Sequence, residues 1–350
     1  LFMARPISGH EASEWLDLAA LGTVADVVPL IGENRSIVHE GLKIIRTGKR
    51  IGLTALIKCA GLRPGSMTTT DISFGVAPRL NAAGRVGSYR DALDILMTED
   101  EYTAGLLAQQ LDDLNRQRQK MTKEMQSAAE AKLEEGEFLL FVVDKGFNSG
   151  LLGLVAGKLA EFYYQPAIIA YQDEKHTRAS CRSIPEFHIT QALDQCADLL
   201  LQHGGHAMAA GFTVANEDVE QLISRLQKIA RESLKDEKIY PKLRVDLEIP
   251  LKEIPKNILE ELDRLEPVGA ENPEVVFCSK NVKIVRAKAV GKEENHLKIT
   301  VRDGDVLDVL YDGIAFQQGY WAKEIPERID LVYTIERNYY NGKINTQLNI

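Results

Sequence analysis

The sequence predicts an α/β protein that ends in an all-β barrel, and three observations carry that prediction. Apolar strands alternate with amphipathic helices over about residues 137–235, the pattern of an α/β domain. A helical stripe runs with no Pro or Gly between Leu106 and Glu135. After Tyr240 the texture changes to short β-branched runs separated by turn signals.

The elements follow in order. "LDLAALGTVADVVPLI", residues 16–31, is apolar and small, with a turn expected at Gly22-Thr23 and a helix or strand ending at Asp26; Pro29 limits regular structure beyond it. "NRSIVHEGLKIIR" and "LTALIKCAGL" read as helices. "APRLNAAGRV" sets polar residues among small ones and reads as a loop and helix start facing a ligand. Leu107, Leu111, Leu114, Met121, Met125, Ala128 and Leu133 recur near helical spacing, so one helix of about 45–50 Å is expected, connecting domains and ended by Gly136. "FLLFVVD" and "QPAIIAY" read as buried strands. "GLLGLVAGKLAEFY" between them reads as a helix, and "QDEKHTRAS" as a polar hairpin. "ITQALDQCADLLLQ" reads as a helix leading into "GGHAMAAG", and "EDVEQLISRLQKIARESL" as an amphipathic helix. The C-terminal runs, with Asp303-Gly304 and Asn341-Gly342 as hairpin pairs and one helix at "NILEELDRL", fit an OB-fold.

Composition bounds the class. At roughly 100–200 residues per domain, 350 residues make two or three domains. Hydrophobic residues are 45% and charged residues 27%, a globular mix. No apolar run approaches the roughly 20 residues of a membrane helix. Cys59, Cys181, Cys196 and Cys278 form no CxxC pair, which argues against a thiolate zinc site and a disulfide scaffold and fits a reducing cytoplasm. The net charge of −9 excludes a uniformly basic surface but not local basic patches. No Walker loop, GxGxxG turn or GxSxG elbow is present.

Five stretches could carry chemistry. Asp26 is either a turn residue or a carboxylate ligand for a hard cation. Arg79, Asn81 and Arg85 stand on a framework of alanines; they suit phosphate contact, Arg being a bidentate fork, or else form ordinary helix-surface ion pairs. Ser180, Arg182 and Ser183 would alternate along a strand, lining a site or solvated at an edge. Gly204 and Gly205 permit close approach to the main chain beside His206, by a phosphate or base, or simply make a tight loop. In the barrel, Lys280, Lys283, Arg286, Lys288 and Lys292 run with no acid between them, with Tyr339 and Tyr340 nearby. That combination suits a single strand, or is a solvated face with core aromatics.

Taken together, "LDLAALGTVADVVPL", Asn34-Arg35, "ISFGVAPRLNAAGR", "GFNSGLLGLVAGKL", "SCRSIPEFH", "GGHAMAAG" and "LEPVGAENPEVVF" occur in the order found in the RecJ family. This family comprises single-strand-specific 5′→3′ exonucleases of the DHH phosphoesterase superfamily, and the resemblance covers essentially the whole chain. It implies the C-terminal part of a DHH phosphoesterase domain at 1–100, a connector helix at 101–136, a DHH-associated substrate-binding domain at 137–236 and an OB-fold at 240–350. It implies two Mn²⁺ or Mg²⁺ ions activating a water. Asp26 matches the last metal-binding aspartate, and Asp26 and His206 would be the catalytic residues. Arg79, Asn81, Arg85, Ser180, Arg182, Gly204, Gly205 and His206 would hold DNA phosphates. Single-stranded DNA, a single-strand binding protein and a RecQ-type helicase are the implied partners, in repair and recombination; the oligomeric state stays open, with a cytoplasmic monomer as the default expectation.

The family's Asp-x-Asp and Asp-His-His motifs are absent, and Asp303-Gly304-Asp305 in a hairpin does not replace them. Leu1 opens the chain where Met is usual, so the expectation is a protein lacking roughly its first third. Because hard cations take about six oxygen ligands, Asp26 alone is insufficient and this chain is expected to be inactive by itself. Asn148, Glu186, Val268 and Glu271 depart from frequent family residues. Two other functions compete: a non-catalytic strand-binding or replication scaffold, and a small-nucleotide phosphatase or oligoribonuclease, against which the barrel speaks.

Overall fold

The computed structural model describes residues 12–134, 136–235, 239–304, 309–340 and 343–350. Two compact units divide them out of chain order. One holds the described residues up to Thr47, Gly65–Ser73 and Leu243–Ile350; the other holds Gly48–Pro64 and Phe74–Lys242.

In the first unit, helix α1 (Leu16–Ala25) packs on α2 (Gly32–Thr47). Gly22 and Thr23 are helical rather than a turn, because the Thr23 hydroxyl donates to the Ala19 carbonyl and leaves the helical ladder intact. Asp26 caps the C-terminus. Val28 N–H then bonds to Thr23 O at 3.0 Å and Val27 N–H to Val24 O at 3.1 Å, a Schellman closure. Its left-handed position, at φ 55°, is Val27, a β-branched residue where glycine is usual. The segment around cis Glu266-Pro267 is pinned here. Leu30 N–H bonds to Ala270 O, Arg35 Nη2 to Leu265 O, and Thr69 Oγ1 to Val268 O.

The second unit begins with helices α3 (Ile51–Cys59), α4 (Ala77–Val86) and α5 (Tyr89–Met97), which pack on α6 (Glu101–Glu130). "APRLNAAGRV" is helical throughout, since Pro78 falls in the first turn where its missing N–H costs nothing. α6 is capped by the Asp100 carboxylate, which accepts from Thr103 N–H. It stops at Glu130, short of Gly136. Lys132 and Leu133 N–H turn back onto Ala129 and Glu130 carbonyls, which lets Leu133 reach the core and Lys132 pair with Asp144. Ala129 rather than Ala128 is buried.

A five-stranded sheet follows in the order β1-β2-β3-β5-β4. β1 (Leu140–Asp144) and β2 (Ala167–Gln172) are parallel, joined by helix α7 (Leu152–Tyr163). β3 (His176–Arg182), β4 (Leu200–His206) and β5 (Ala209–Ala215) continue it antiparallel. Alternation sends Ile168, Ala170, Cys181, Phe212 and Val214 to the core with helices α8 (Ile189–Asp194) and α9 (Val219–Leu234), and Leu140, Val142, Ala167 and Ile169 to the core with α7. The helix expected over 189–202 ends early. Leu200–Gln202 pair with β5 instead, and "GGHAMAAG" is the β4–β5 hairpin rather than a loop.

Back in the first unit, a short β6 (Leu247–Glu248) and helix α10 (Ile258–Asp263) precede the barrel. Strands β7 (Phe277–Val290), β8 (His296–Asp303), β9 (Tyr311–Ala315), β10 (Arg328–Tyr340) and β11 (Lys343–Asn349) close because β10 pairs with both β11 and β7, while β11 runs parallel to β9. Phe277 and Tyr333 stack inside, with the Tyr333 hydroxyl 2.8 Å from Ser279 Oγ. Asp305 and the Asn341-Gly342 pair lie outside the described residues.

Candidate functional site

The register of the second unit's sheet assembles part of the expected site. Arg182 on β3 faces Ala209 on β5, which faces His206 on β4; one step along, Ser180, Gly211 and Gly204 align in the same way. Residues directly opposite or two apart share a face, so these six lie on the α7 side of the sheet. At about 4.8 Å per strand His206 stands about 10 Å from Arg182 across a strip of Ala and Gly. A side chain added at Gly204 would meet nothing, so the outer part of this strip is open.

The two glycines answer to different causes. Gly205 has φ +148°, and a Cβ there would come within 2.4 Å of Ala209 O and 2.5 Å of Ala210 Cα. It is required by its own hairpin, not by a ligand. The hairpin tip is tied down by Ser183 N–H to Met208 O, Ile189 N–H to Ala207 O and Thr190 Oγ1 to His206 O, leaving the His206 ring exposed. Ser183 points the other way: it is buried, and its hydroxyl donates to Phe187 O.

Arg182 folds back along its strand, donating to Cys181 O at 2.8 Å and to Ser180 Oγ at 3.4 Å. It lies against the first turn of α7, where a Cβ on Gly153 would sit 2.9 Å from Arg182 Nη2 and 3.0 Å from Ser180 Oγ. The α7 start has no side-chain cap, so its first N–H groups keep their positive field. Just before it, Asn148 Oδ1 accepts from Gly150 N–H, and Arg85 Nη1 donates to Gly150 O at 3.0 Å. Arg85 therefore joins Arg182 at the 148–153 turn. Burial, then the nearby Arg182 charge, holds the Arg85 guanidinium below its ordinary range. Arg118 on α6 is lowered in the same way, by burial and then by Arg85.

The other residues of "PRLNAAGR" are elsewhere. Asn81 is exposed one turn before Arg85. Arg79 is committed to a buried carboxylate: its Nε and Nη2 stand 2.9 and 2.8 Å from Asp112 Oδ1, and its Nη1 bonds to Gly75 O. Arg116 Nη2 is 2.6 Å from Asp112 Oδ2. The ion-pair alternative thus describes Arg79.

Asp26 belongs to the first unit and is exposed. Among the described residues, no group of three His, Cys, Asp or Glu is placed to hold a metal. One carboxylate does not fit a hard divalent cation, which takes about six oxygen ligands. On the barrel, Lys280 pairs with Glu248 and Lys283 with Glu327. Arg286 and Lys288 stay exposed on β7, with Lys288 directly opposite Lys298 of β8. Like charges in that register repel, and so favour an anion over them. Exposed Phe316, Tyr320 and Trp321 provide aromatic faces in this unit; the Tyr339 and Tyr340 side chains lie outside the description.

Arg118 and the turn at Asn148–Gly153 were missed from the sequence. A signal existed for Arg118: it sits four residues after Leu114 and three before Met121, a charge set on the apolar stripe of α6.

The DHHA1 domain model matches residues 135–232, and the RecJ OB domain model matches 245–350. The single-stranded-DNA-specific exonuclease RecJ of Bacillus subtilis is 36% identical over 99% of this chain and 45% of its own length. The Escherichia coli protein of that name is 30% identical over 99% of this chain and 62% of its own. The crystal structure of RecJ from Thermus thermophilus in complex with Mg²⁺ superposes with a TM-score of 0.84 at 27% identity, covering 99% of this chain and 53% of that one. A Mn²⁺ complex of the same protein gives 0.84 as well. The chain spans about half the length of the relatives it matches. No helix among the described residues is long and apolar enough to cross a membrane.

Proposed function

We propose, from the premise that the chain belongs to the RecJ family, that it is the strand-holding part of a single-stranded-DNA-specific 5′→3′ exonuclease of repair and recombination. The observation that carries this is the side-chain cluster at the 148–153 turn. Arg85, Arg182 and Ser180 converge there beside an uncapped helix start, and among the described residues no carboxylate is within ion-pair distance of either arginine. A phosphate fits that chemistry: guanidinium forks take its oxygens in pairs and helix N–H groups face its charge. His206, across the small-residue strip, meets the strand further along, and Asn81 lies beside Arg85. The barrel's Arg286, Lys288 and Lys298 would follow a backbone, with exposed aromatics to stack bases.

Two divalent ions, Mg²⁺ or Mn²⁺, are part of this reading for the whole protein, with Asp26 as one ligand. The described residues do not make such a site, so no chemical step is derived through it. The same observation favours a second reading, a strand-binding scaffold with no hydrolysis by these residues. A single-strand binding protein and a RecQ-type helicase are proposed partners of a monomer in the cytoplasm.

Fluorescence anisotropy of the chain with single-stranded and duplex DNA at two salt concentrations tests the binding. Strand-selective affinity that falls steeply with salt is expected; equal affinity for duplex refutes it. Metal-dependent digestion by the chain alone would overturn the division of labour, and its absence is expected. In a protein that does digest DNA, His206→Ala should slow turnover without changing metal affinity, whereas Asp26→Ala should weaken metal binding.

A further inference from the structure

We propose that Arg118, on α6, is a third phosphate-binding arginine of the side-chain cluster formed by Arg85, Arg182 and Ser180. The inference rests on the phosphate-holding role argued above and adds a residue that the sequence motifs do not contain.

Packing brings Arg118 to these side chains. Val86, next to Arg85, and Met121, three residues after Arg118, both pack on the cluster that contains Leu151 and Leu152, so α4, α6 and the start of α7 meet at one place. Arg118 therefore projects from α6 beside the residue that clasps Gly150. Its Nε is buried and has no hydrogen-bond acceptor. One turn earlier on the same helix, Asn115 is 3% exposed, and its Oδ1 also has no partner.

Three ordinary explanations for a half-buried arginine fail here. It does not neutralise an acid: the acids on α6 near it are otherwise engaged, Asp112 with Arg79 and Arg116, and Glu124 with Lys120. It is not simply extended into bulk water, because its Nε is enclosed with no acceptor, while the Nη groups stay open to a ligand. It is not drawn in by its neighbour either, since the neighbouring charge is another guanidinium. Cations gathered without a counter-charge, with an unused donor pointing inward, leave a place for an anion. Its chemistry is set by the forks already present: a tetrahedral oxyanion with several acceptor oxygens, the phosphate of a nucleic-acid strand.

The test uses the 350-residue chain, Arg118→Gln and Arg118→Lys, with Arg85→Gln and Arg182→Gln alongside. Two readouts are taken: anisotropy of a 3′-labelled oligothymidylate against salt, and the rise in Tm on adding inorganic phosphate. Arg118→Gln should bind about tenfold more weakly at low salt, with a log–log salt slope smaller by about 0.7, the value for one phosphate contact on a single strand. Its Tm without phosphate should stay level or rise, because a like charge is gone, and the phosphate-induced rise should shrink. Arg118→Lys should restore the slope but not the full affinity, since an ammonium keeps the charge and loses the fork. A purely structural Arg118, for instance one that satisfies Asn115, would lower Tm in the Gln variant and leave both slope and phosphate response at wild-type values; that result overturns the inference. If the Arg85 and Arg182 variants lose slope while Arg118→Gln does not, only this inference falls. If none of the three changes either readout, or if the unaltered chain responds to neither probe, the phosphate-holding reading falls with it.

Discussion

Replacing Arg79 by Ala separates an architectural arginine from a phosphate-binding one. Asp112 is 2% exposed and has Arg79, itself 15% exposed, as its main partner. Arg116 approaches the other oxygen but is 70% exposed, and Asp112 Oδ2 makes no aligned hydrogen bond. Removing one partner of a buried pair costs about 3–5 kcal/mol when the other charge is stranded. Arg116 remains, but solvent screens it, so about 2–3 kcal/mol is expected. In a unit of 150–250 residues each kcal/mol moves Tm by about 2–4 °C, which gives a fall of about 4–12 °C. Thermal unfolding followed by circular dichroism reads this, with Asn81→Ala as an exposed control that should not move. Strand affinity and its salt slope, measured well below the lowered Tm, should be unchanged. A Tm within about 1 °C of wild type together with a reduced salt slope would refute the reasoning, because it would mean that Arg79 is free to hold phosphate.

Three further outcomes are expected. Val27→Gly should stabilise the protein by about 0.5–1 kcal/mol in guanidinium unfolding: it relieves about 1–2 kcal/mol of left-handed strain, less the backbone entropy of glycine, and the lost side chain is 72% exposed; a loss of stability counts against strain there. Gly153→Ala should weaken strand binding severalfold with little change in Tm, because the atoms it meets are the mobile end of Arg182 and the Ser180 hydroxyl; unchanged affinity would show that Arg182 need not occupy this position. Burial first, and Glu274 second, hold the Glu336 carboxyl above the ordinary glutamate range. Its charge therefore costs the folded state stability above that raised pKa, and the cost disappears below the ordinary range, where both states are protonated. Glu336→Gln should raise Tm at pH 7 and not at pH 4, and equal effects at both would contradict the desolvation.

How much of this was legible in the sequence depended on whether a local pattern decided the outcome. The strand at 140–144 follows its unbroken apolar run because both of its faces meet cores, and the helix at 219–234 follows its periodicity because one face does. Residues 200–202 read as helix from their leucines, yet the backbone joins β5, since pairing beyond the segment outweighs propensity. In sequence, the glycines of "GGHAMAAG" suit either room for a ligand or a tight loop. Gly205 makes room for the strand beside it, which no local pattern encodes. Arg79 and Arg85 stand six residues apart on one helix and look alike in sequence. Only the third dimension gives one an acid partner and leaves the other a turn of main chain. Asn34-Arg35 and "LEPVGAENP" were noted separately, and the hydrogen bond from Arg35 to Leu265 joins them across 230 residues of sequence.

The β4–β5 hairpin also carries an arithmetic of its own. Side chains along a strand alternate, so past the bulge that takes up one extra residue between Leu200 and Gln202, this segment can change length only by even numbers without inverting what it displays. One residue added between Gln202 and Gly205 would turn His206 toward Phe212 and bring a core position out to the open strip. It would also shift the one glycine whose φ no other residue tolerates well. Two added residues would keep the parity. Length variation in the regular part of this hairpin should therefore come in pairs, and a single-residue insertion there would disable it more thoroughly than most substitutions.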